Sequence, residues 1–284
     1  MSTYSRRYAL RAGALGALGL TQMTLPAFAN ESTVNSVSNF DQADPRQNLR
    51  MMARVNGSLD GKPVFWWMEG HAYALPAGEM RARLCGIVGC RMVTYKARGD
   101  AFEVTTRDWG IFTSLDREPL TEFTNPYTGQ KLMPKPILTK KYSWLIDPIR
   151  GQIVKAAEAG TVSSLTDRPF IMPWRIEGDC AWGKLETFVK YPAGAVGSEI
   201  LAFTARPRDL LSQKSGFVPA EVTWINESPW FGWLNMRGRP GGIMMVSAGR
   251  KERTTDELPS FIRHITDRVY PGLLANPADW QRPA

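Results

Sequence analysis

Histidine is almost missing from this chain, at two in 284 residues, and cysteine is scarce at three. His71 and His264 cannot furnish a multi-histidine metal centre. Cys85 and Cys90 have no second Cys/His pair nearby to complete the four ligands of a zinc site, so no metal is expected. A Gly-x-Ser-x-Gly nucleophile elbow is absent, as are the glycine patterns of dinucleotide and P-loop sites, and no cofactor is expected. Arg237-Gly238-Arg239-Pro240-Gly241-Gly242 lacks the Lys-Ser/Thr that a phosphate loop needs. The N-terminal apolar run falls far short of the roughly 20 residues that cross a bilayer, which excludes a membrane span there. Lys and Arg exceed Asp and Glu by 35 to 27 without forming a phosphate-tracking stripe, so nucleic acid is not an expected partner.

What is present begins with an address. Ser5-Arg6-Arg7-Tyr8-Ala9-Leu10-Arg11 resembles a twin-arginine motif, Ala12 to Leu20 is small and apolar, and Ala27-Phe28-Ala29 suits an A-x-A cleavage site. Residues 1–29 therefore read as a twin-arginine-type signal peptide, and the expected location is the periplasm. Its loss removes three arginines and no acid, taking the formal charge from +8 to +5. Residues 30–48 are polar and poor in aromatics and read as a flexible arm. Residues 49–284 are expected to form a single, mainly β domain.

The domain reads as many short strands separated by Gly and Pro turns. Phe102 to Met133 is expected to be a meander, broken at Asp116-Arg117-Glu118-Pro119 and turned at Asn125-Pro126-Tyr127-Thr128-Gly129. Asp60-Gly61 is a hairpin turn signal, and Arg98-Gly99-Asp100 separates two further strands. Tyr142–Ile146 and Gln152–Lys155 flank Asp147–Gly151 as a hairpin, with a helix capped by Asp147 as the rival. Lys184–Tyr191, Glu199–Arg206, Val218–Ile225 and Ile243–Ser247 are further strands. Leu258, Phe261, Ile262, Ile265 and Val269 mark one helix near the C-terminus.

The order and spacing of several short words resemble the bacterial domain of unknown function 1838 family. They are Gly57-Ser58-Leu59-Asp60-Gly61, Trp67 with Glu69-Gly70 and Tyr73, Arg107-Asp108-Trp109-Gly110, and Asn125-Pro126-Tyr127-Thr128-Gly129. Further on stand Trp230, Trp233 and Met236, Arg239-Pro240-Gly241, Gly249-Arg250-Lys251 and Glu257-Leu258-Pro259. Lys135 to Asp147 departs from the pattern, keeping little beyond Asp147-Pro148. The resemblance implies no activity, cofactor or catalytic residue, so function must come from the side chains.

The expected fold is an antiparallel, barrel-like (calycin-like) sheet with one C-terminal helix. Along Lys62 to Leu75, period two puts Trp67, Glu69, His71 and Tyr73 on one face. Glu69 and His71 could act as acid and base, with a structural His held by a carboxylate as the alternative. Arg107 beside Trp109 could clamp a carboxylate or stack on a ligand, or simply pair with Glu69. The aromatics Trp230 and Trp233 with Arg239 could be a pocket mouth or a plug under the sheet. Cys85 and Cys90 could bridge across a Gly86–Gly89 loop or be two buried thiols. The leading expectation is an exported barrel-like protein holding a small, partly aromatic or apolar ligand, as a binder or a modest acid–base enzyme. The alternative is a cell-envelope interaction or scaffold module without catalysis.

Overall fold

The structure, a computed structural model, describes residues 40–139, 141–154, 162–190, 196–212, 214–236 and 238–275. Residues 1–29, expected from the sequence to be a signal peptide, and residues 30–39 of the expected arm lie outside the described residues. In chain order the elements are α1 (Pro45–Asn56), β1 (Val64–Pro76), β2 (Ala82–Arg98), β3 (Ala101–Thr113), β4 (Phe123–Thr124), β5 (Lys131–Leu132) and β6 (Ile137–Leu138). There follow β7 (Tyr142–Asp147), β8 (Gly151–Val154), β9 (Val162–Ser163), β10 (Trp174–Glu177), β11 (Cys180–Lys190) and β12 (Val196–Ala205). Last come α2 (Pro207–Leu211), β13 (Ala220–Ser228), β14 (Gly241–Glu252) and α3 (Ser260–Val269). The main sheet runs β10-β11-β12-β13-β14-β1-β2-β3-β7-β8, with β6 added to β3 and β9 to β11, and it is curled into a half-barrel. Its two sequential meanders join where the first long strand pairs with the last, over the register Phe65↔Glu252 to Pro76↔Gly241.

The turns fall where glycine permits a positive φ. Gly99 (φ 65°) turns β2 into β3, and Gly151 (φ 71°) closes the hairpin of β7 and β8. At Gly151 space matters too, since an added Cβ would lie 1.8 Å from the Leu165 carbonyl oxygen. That crossing ties the β8 edge to the opposite half of the sheet. Gln152 N donates to Leu165 O at 2.8 Å, and Ser164 N donates to Phe188 O on β11 at 3.0 Å.

Three local expectations are corrected. Phe102–Thr113 belongs to one long strand rather than several short ones, and only β4 and β5 beyond it are short. Asp60-Gly61 turns a helix, not a strand, into β1. Residues 86–89 are not a loop but the middle of β2, so Cys85 and Cys90 stand five positions apart on one continuous strand. An odd spacing sends them to opposite faces, roughly 16 Å apart along the strand, which no disulfide spans. Both are free, buried thiols, and burial pushes Cys85 up to about 12 and Cys90 upward as well.

Helix α1 stands where the sequence reads as an arm and the start of the β domain, and its signals are ordinary. Asp44 caps it by accepting from Arg46 N at 2.8 Å, and Pro45 opens its first turn. It starts inside the segment 30–48 that reads as an arm, and it buries Leu49, Met52, Ala53 and Val55. These join Trp66, Val93, Tyr95 and Val104 from one half of the sheet and Leu201, Phe203 and Val222 from the other. A cluster that reaches both halves can only fill the inside of the curl. The outer face carries a separate cluster, in which Phe65, Val88, Cys90, Met92, Trp109 and Ile111 pack against Leu258, Ile262 and Ile265 of α3 and its approach.

The curl needs close backbone approach on the inner face of β1 and β14. A Cβ at Gly249 would lie 1.7 Å from the Trp67 carbonyl oxygen, and one at Gly70 would lie 1.9 Å from that of Val246. Next to Gly249 on the same face, Lys251 is 4 % exposed. Its Nζ donates to Arg54 O at 2.7 Å and Gly57 O at 2.8 Å, at the C-terminal end of α1, and sits 4.1 Å over the Phe217 ring. Burial lowers its pKa well below the ordinary lysine value, and Arg253 and Arg54 push the same way.

Gly249→Ala should cost about 3 kcal/mol or more, because a backbone oxygen occupies the site of the new methyl. Gly89→Ala, whose Cβ would meet only Met68 Cε at 4.0 Å, should be neutral or stabilise by about 0.4–1 kcal/mol. Urea midpoints of the two variants check this, and equal costs would contradict the account of the curl. A second expectation concerns Lys251. Its folded pKa lies below its unfolded one, so between them the unfolded chain binds more protons and stability rises with pH. Lys251→Met should lack that rise. Unfolding free energies of both proteins from neutral to alkaline pH measure it, and parallel pH profiles would refute it.

Candidate functional site

The residues singled out from the sequence are placed on two different surfaces. Trp67, Glu69 and His71 share one face of β1, with Tyr73 beside His71 at a ring distance of 6.2 Å, and that face is the outer one. Trp67 packs edge-on against Phe261 of α3, and its Nε1 donates to Glu252 Oε1 at 3.3 Å. The Glu69 carboxylate accepts from Arg117 Nε at 2.6 Å, and the Arg117 guanidinium lies 4.8 Å over the Phe261 ring. Arg107 is therefore not the partner of Glu69. It stands opposite Met92 while Glu69 stands opposite Val88, four positions or roughly 13 Å apart along β2. Trp109 is 2 % exposed beneath α3, where its Nε1 donates to Thr266 Oγ1 at 3.3 Å.

Trp230, Trp233 and Arg239 gather elsewhere, in a plug against one end of the inner face. Trp233 lies 5.1 Å from Phe112 and 5.6 Å from Phe123, and Trp230 Nε1 donates to Arg239 O at 2.9 Å. The Arg239 guanidinium sits 4.7 Å over Tyr127 and pairs with Glu79. Asn125, 1 % exposed, pins the turn it opens. Its Nδ2 donates to Leu234 O at 2.8 Å, while its Oδ1 accepts from Tyr127 N at 2.8 Å.

Between the plug and the cluster around α1, the inner face carries a layer of charge. Arg91 on β2 and Asp108 on β3 are cross-strand partners, and Arg91 Nε donates to Asp108 Oδ1. Tyr142 on β7 donates from Oη to Asp108 Oδ2 at 3.0 Å. The backbone of Asp108 is clamped from β6's end of the chain, its N donating to Thr139 Oγ1 at 2.8 Å and its O accepting from Thr139 N at 2.9 Å. Across the concavity, Glu199 on β12 accepts from Trp224 Nε1 on β13 at 2.6 Å. Its Oε1 lies 4.0 Å from Arg91 Nη2, beyond hydrogen-bond reach. β2 and β12 are four strand spacings apart, roughly 19 Å around the sheet, so only the curl brings these groups together.

The layer is recessed but wet. The side chains of Arg91 and Asp108 are 21 % accessible and that of Glu199 is 28 %. Burial, the largest influence on Arg91, pulls its pKa down, yet Asp108, Tyr142 and Glu199 together hold it above the ordinary arginine value. Burial and then the Asp108 charge push Tyr142 up to about 12, so it remains a donor at neutral pH. Beside Arg91 on the same face, Gly89 leaves open space, bounded by Met68. Trp144 stacks on Tyr142 with ring centroids 5.2 Å apart, and its buried Nε1 has no hydrogen-bond partner among the described residues.

Arg91, Asp108, Tyr142, Glu199 and Trp224 come from five different strands and are not marked as a set in the sequence. A signal existed for Arg91, which is the one charged residue in the apolar stretch from Leu84 to Thr94. Among the described residues, no group of three or more His, Cys, Asp and Glu gathers to hold a metal ion, and no helix is long and apolar enough to cross a membrane.

The fold and this layer define an antiparallel half-barrel with a polar belt inside it. The chain belongs to the family described as Protein of unknown function (DUF1838), whose model matches residues 61–283. No curated protein matches the sequence. Among solved structures, one described as an N-terminal dehydratase from the difficidin assembly line overlaps 78 % of this chain and 87 % of its own, at 8 % identity and a TM-score of 0.14. A likeness that weak carries no argument about fold or activity.

Proposed function

We propose that the half-barrel holds a small, partly apolar molecule over Gly89, between Trp224, Met68 and the Arg91–Asp108–Glu199 layer. The observation that supports this reading is a charged layer set between two apolar clusters while a fifth or more of each charged side chain remains accessible. Burying such charges costs several kcal/mol per ion before pairing offsets it, and well-packed apolar residues would stabilise the fold as well or better. Small-molecule sites combine apolar walls with a few convergent polar groups in this way. The outer-face set of Glu69 and His71 offers less, since α3 and Arg117 already occupy it.

Protein recovered from its own cell envelope should carry a bound small molecule in native mass spectrometry. Arg91→Met and Gly89→Leu should each lose it, the first by removing the central donor and the second by filling the recess. Equal ligand occupancy in wild type and both variants would refute the site.

Export to the periplasm through the twin-arginine route is part of the same proposal, motivated by Arg6-Arg7 and Ala27-Phe28-Ala29. The mature chain should begin at Asn30, and changing Arg6 and Arg7 together to Lys should abolish delivery. N-terminal sequencing of the periplasmic fraction measures both, and normal delivery of the double variant would overturn the route.

A further inference from the structure

Resting on that reading of the recess, we infer that its ligand is a zwitterion, an α-amino acid with a small apolar side chain. Its ammonium is held by Thr187, Glu199 and Asn226, and its carboxylate meets Arg91. The strand register supplies the first half of the argument. Glu199 on β12 stands opposite Thr187 on β11 and opposite Asn226 on β13, so the three are consecutive neighbours in one cross-strand row. Alternation puts them on the inner face with Leu201, and each is only half-buried. Side chains opposed in this way start about 4.5–5.5 Å apart. Among the described residues the Thr187 hydroxyl, the second Glu199 oxygen and the Asn226 amide make no hydrogen bond, while Glu199 Oε1 accepts from Trp224 Nε1.

An ammonium has three N–H donors, and the row offers an acceptor oxygen from each of its three members. A single hydroxyl proton would use only one of them. The neighbouring row on the same strands is Leu185, Leu201 and Trp224, of which Leu185 and Trp224 are half-buried too. An apolar ligand body therefore has a wall roughly 7 Å from the polar row.

Charge supplies the second half. Arg91 bonds Asp108 through Nε, and its Nη2 lies 4.0 Å from Glu199 Oε1. A simple anion drawn to Arg91 would meet the Asp108 and Glu199 carboxylates at close range in a recess of reduced dielectric. A simple cation drawn to Glu199 would meet the Arg91 guanidinium. An α-amino acid carries its two opposite charges on groups joined to one carbon, which matches a charged donor and a charged acceptor a few ångströms apart. Each end then makes charge-assisted hydrogen bonds to unlike charge.

The test is isothermal titration calorimetry on the full chain. The probes are L-alanine, L-valine and L-leucine, the N-acetyl form of each (no ammonium), the methyl ester of each (no carboxylate), and isobutanol as a neutral hydroxyl. Each is titrated into wild type, Glu199→Gln, Thr187→Val and Asn226→Leu, with thermal midpoints confirming that the variants fold. At least one free amino acid should bind, and its N-acetyl and ester forms should bind at least about tenfold more weakly. Glu199→Gln should weaken it about tenfold, the loss of one charge-assisted hydrogen bond, and Thr187→Val and Asn226→Leu should act in the same direction. Should Glu199→Gln fail to fold, the shape-preserving Thr187→Val decides. Variant-sensitive binding confined to the acetyl forms, the esters or isobutanol would overturn the zwitterion while leaving the recess as a site. Amino-acid binding that all three variants leave unchanged would overturn its placement on this row. No binding from any probe would overturn the inference, and ligand occupancy of Arg91→Met in native mass spectrometry then decides separately whether the recess is a site.

Discussion

The ladder between β1 and β14 is the constraint on which the rest of the molecule depends. It joins the two meanders by pairing strands from opposite ends of the domain over twelve positions. Its curvature requires glycine at 70 and 249, where neighbouring carbonyl oxygens occupy the space of a side chain. Without that pairing, the sheet would be two separate ribbons, and α1 would have one half of its hydrophobic partners. Contacts of such long sequence separation are slow to form, because loop closure precedes any reward. The same ladder places Lys251 under the C-terminal end of α1, so that helix, sheet seam and buried amine are set by one register.

Two strategies for a buried basic side chain stand side by side here. Lys251 and Arg54 are satisfied by backbone carbonyls: Lys251 by those of residues 54 and 57, and Arg54 by those of residues 209, 210, 212 and 215. Such groups fix geometry and leave nothing over. Arg91 is instead surrounded by side chains, with Asp108 bonded and Glu199 held just out of reach by Trp224. Unspent hydrogen-bonding capacity in an accessible recess is what separates a binding layer from a structural one.

The words shared with the family acquire physical meanings once placed. Asn125-Pro126-Tyr127-Thr128-Gly129 is an anchor, tied through the Asn125 side chain to Leu234 and its own turn. Trp230, Trp233 and Arg239 build the plug, and Gly249 permits the curl. Arg107-Asp108-Trp109-Gly110 serves different ends at each position. Asp108 faces the polar layer, Trp109 the outer core beneath α3, and a Cβ at Gly110 would sit 3.5 Å from Ile137. Adjacent residues on a strand face opposite ways, so one word can carry a site residue and a core residue together.

By itself the sequence determined the class of the fold, the turns at Gly99 and Gly151 and the C-terminal helix. These follow from local rules: side-chain alternation, the conformational freedom of glycine and the spacing of motif residues. It also placed Trp67, Glu69 and His71 correctly on one face. Alternation divides a strand into two faces but says nothing about which is enclosed, and that choice is made by the curl and by whichever helix covers each side. The partner of Glu69 comes from a loop, at Arg117, and the partners of Arg91 come from β3 and, across the concavity, β12. A pairing of residues more than a hundred positions apart, such as Arg91 and Glu199, leaves no local trace, because strand order and sheet curvature alone bring them together. Tertiary structure therefore decided where the charge lies and what it faces.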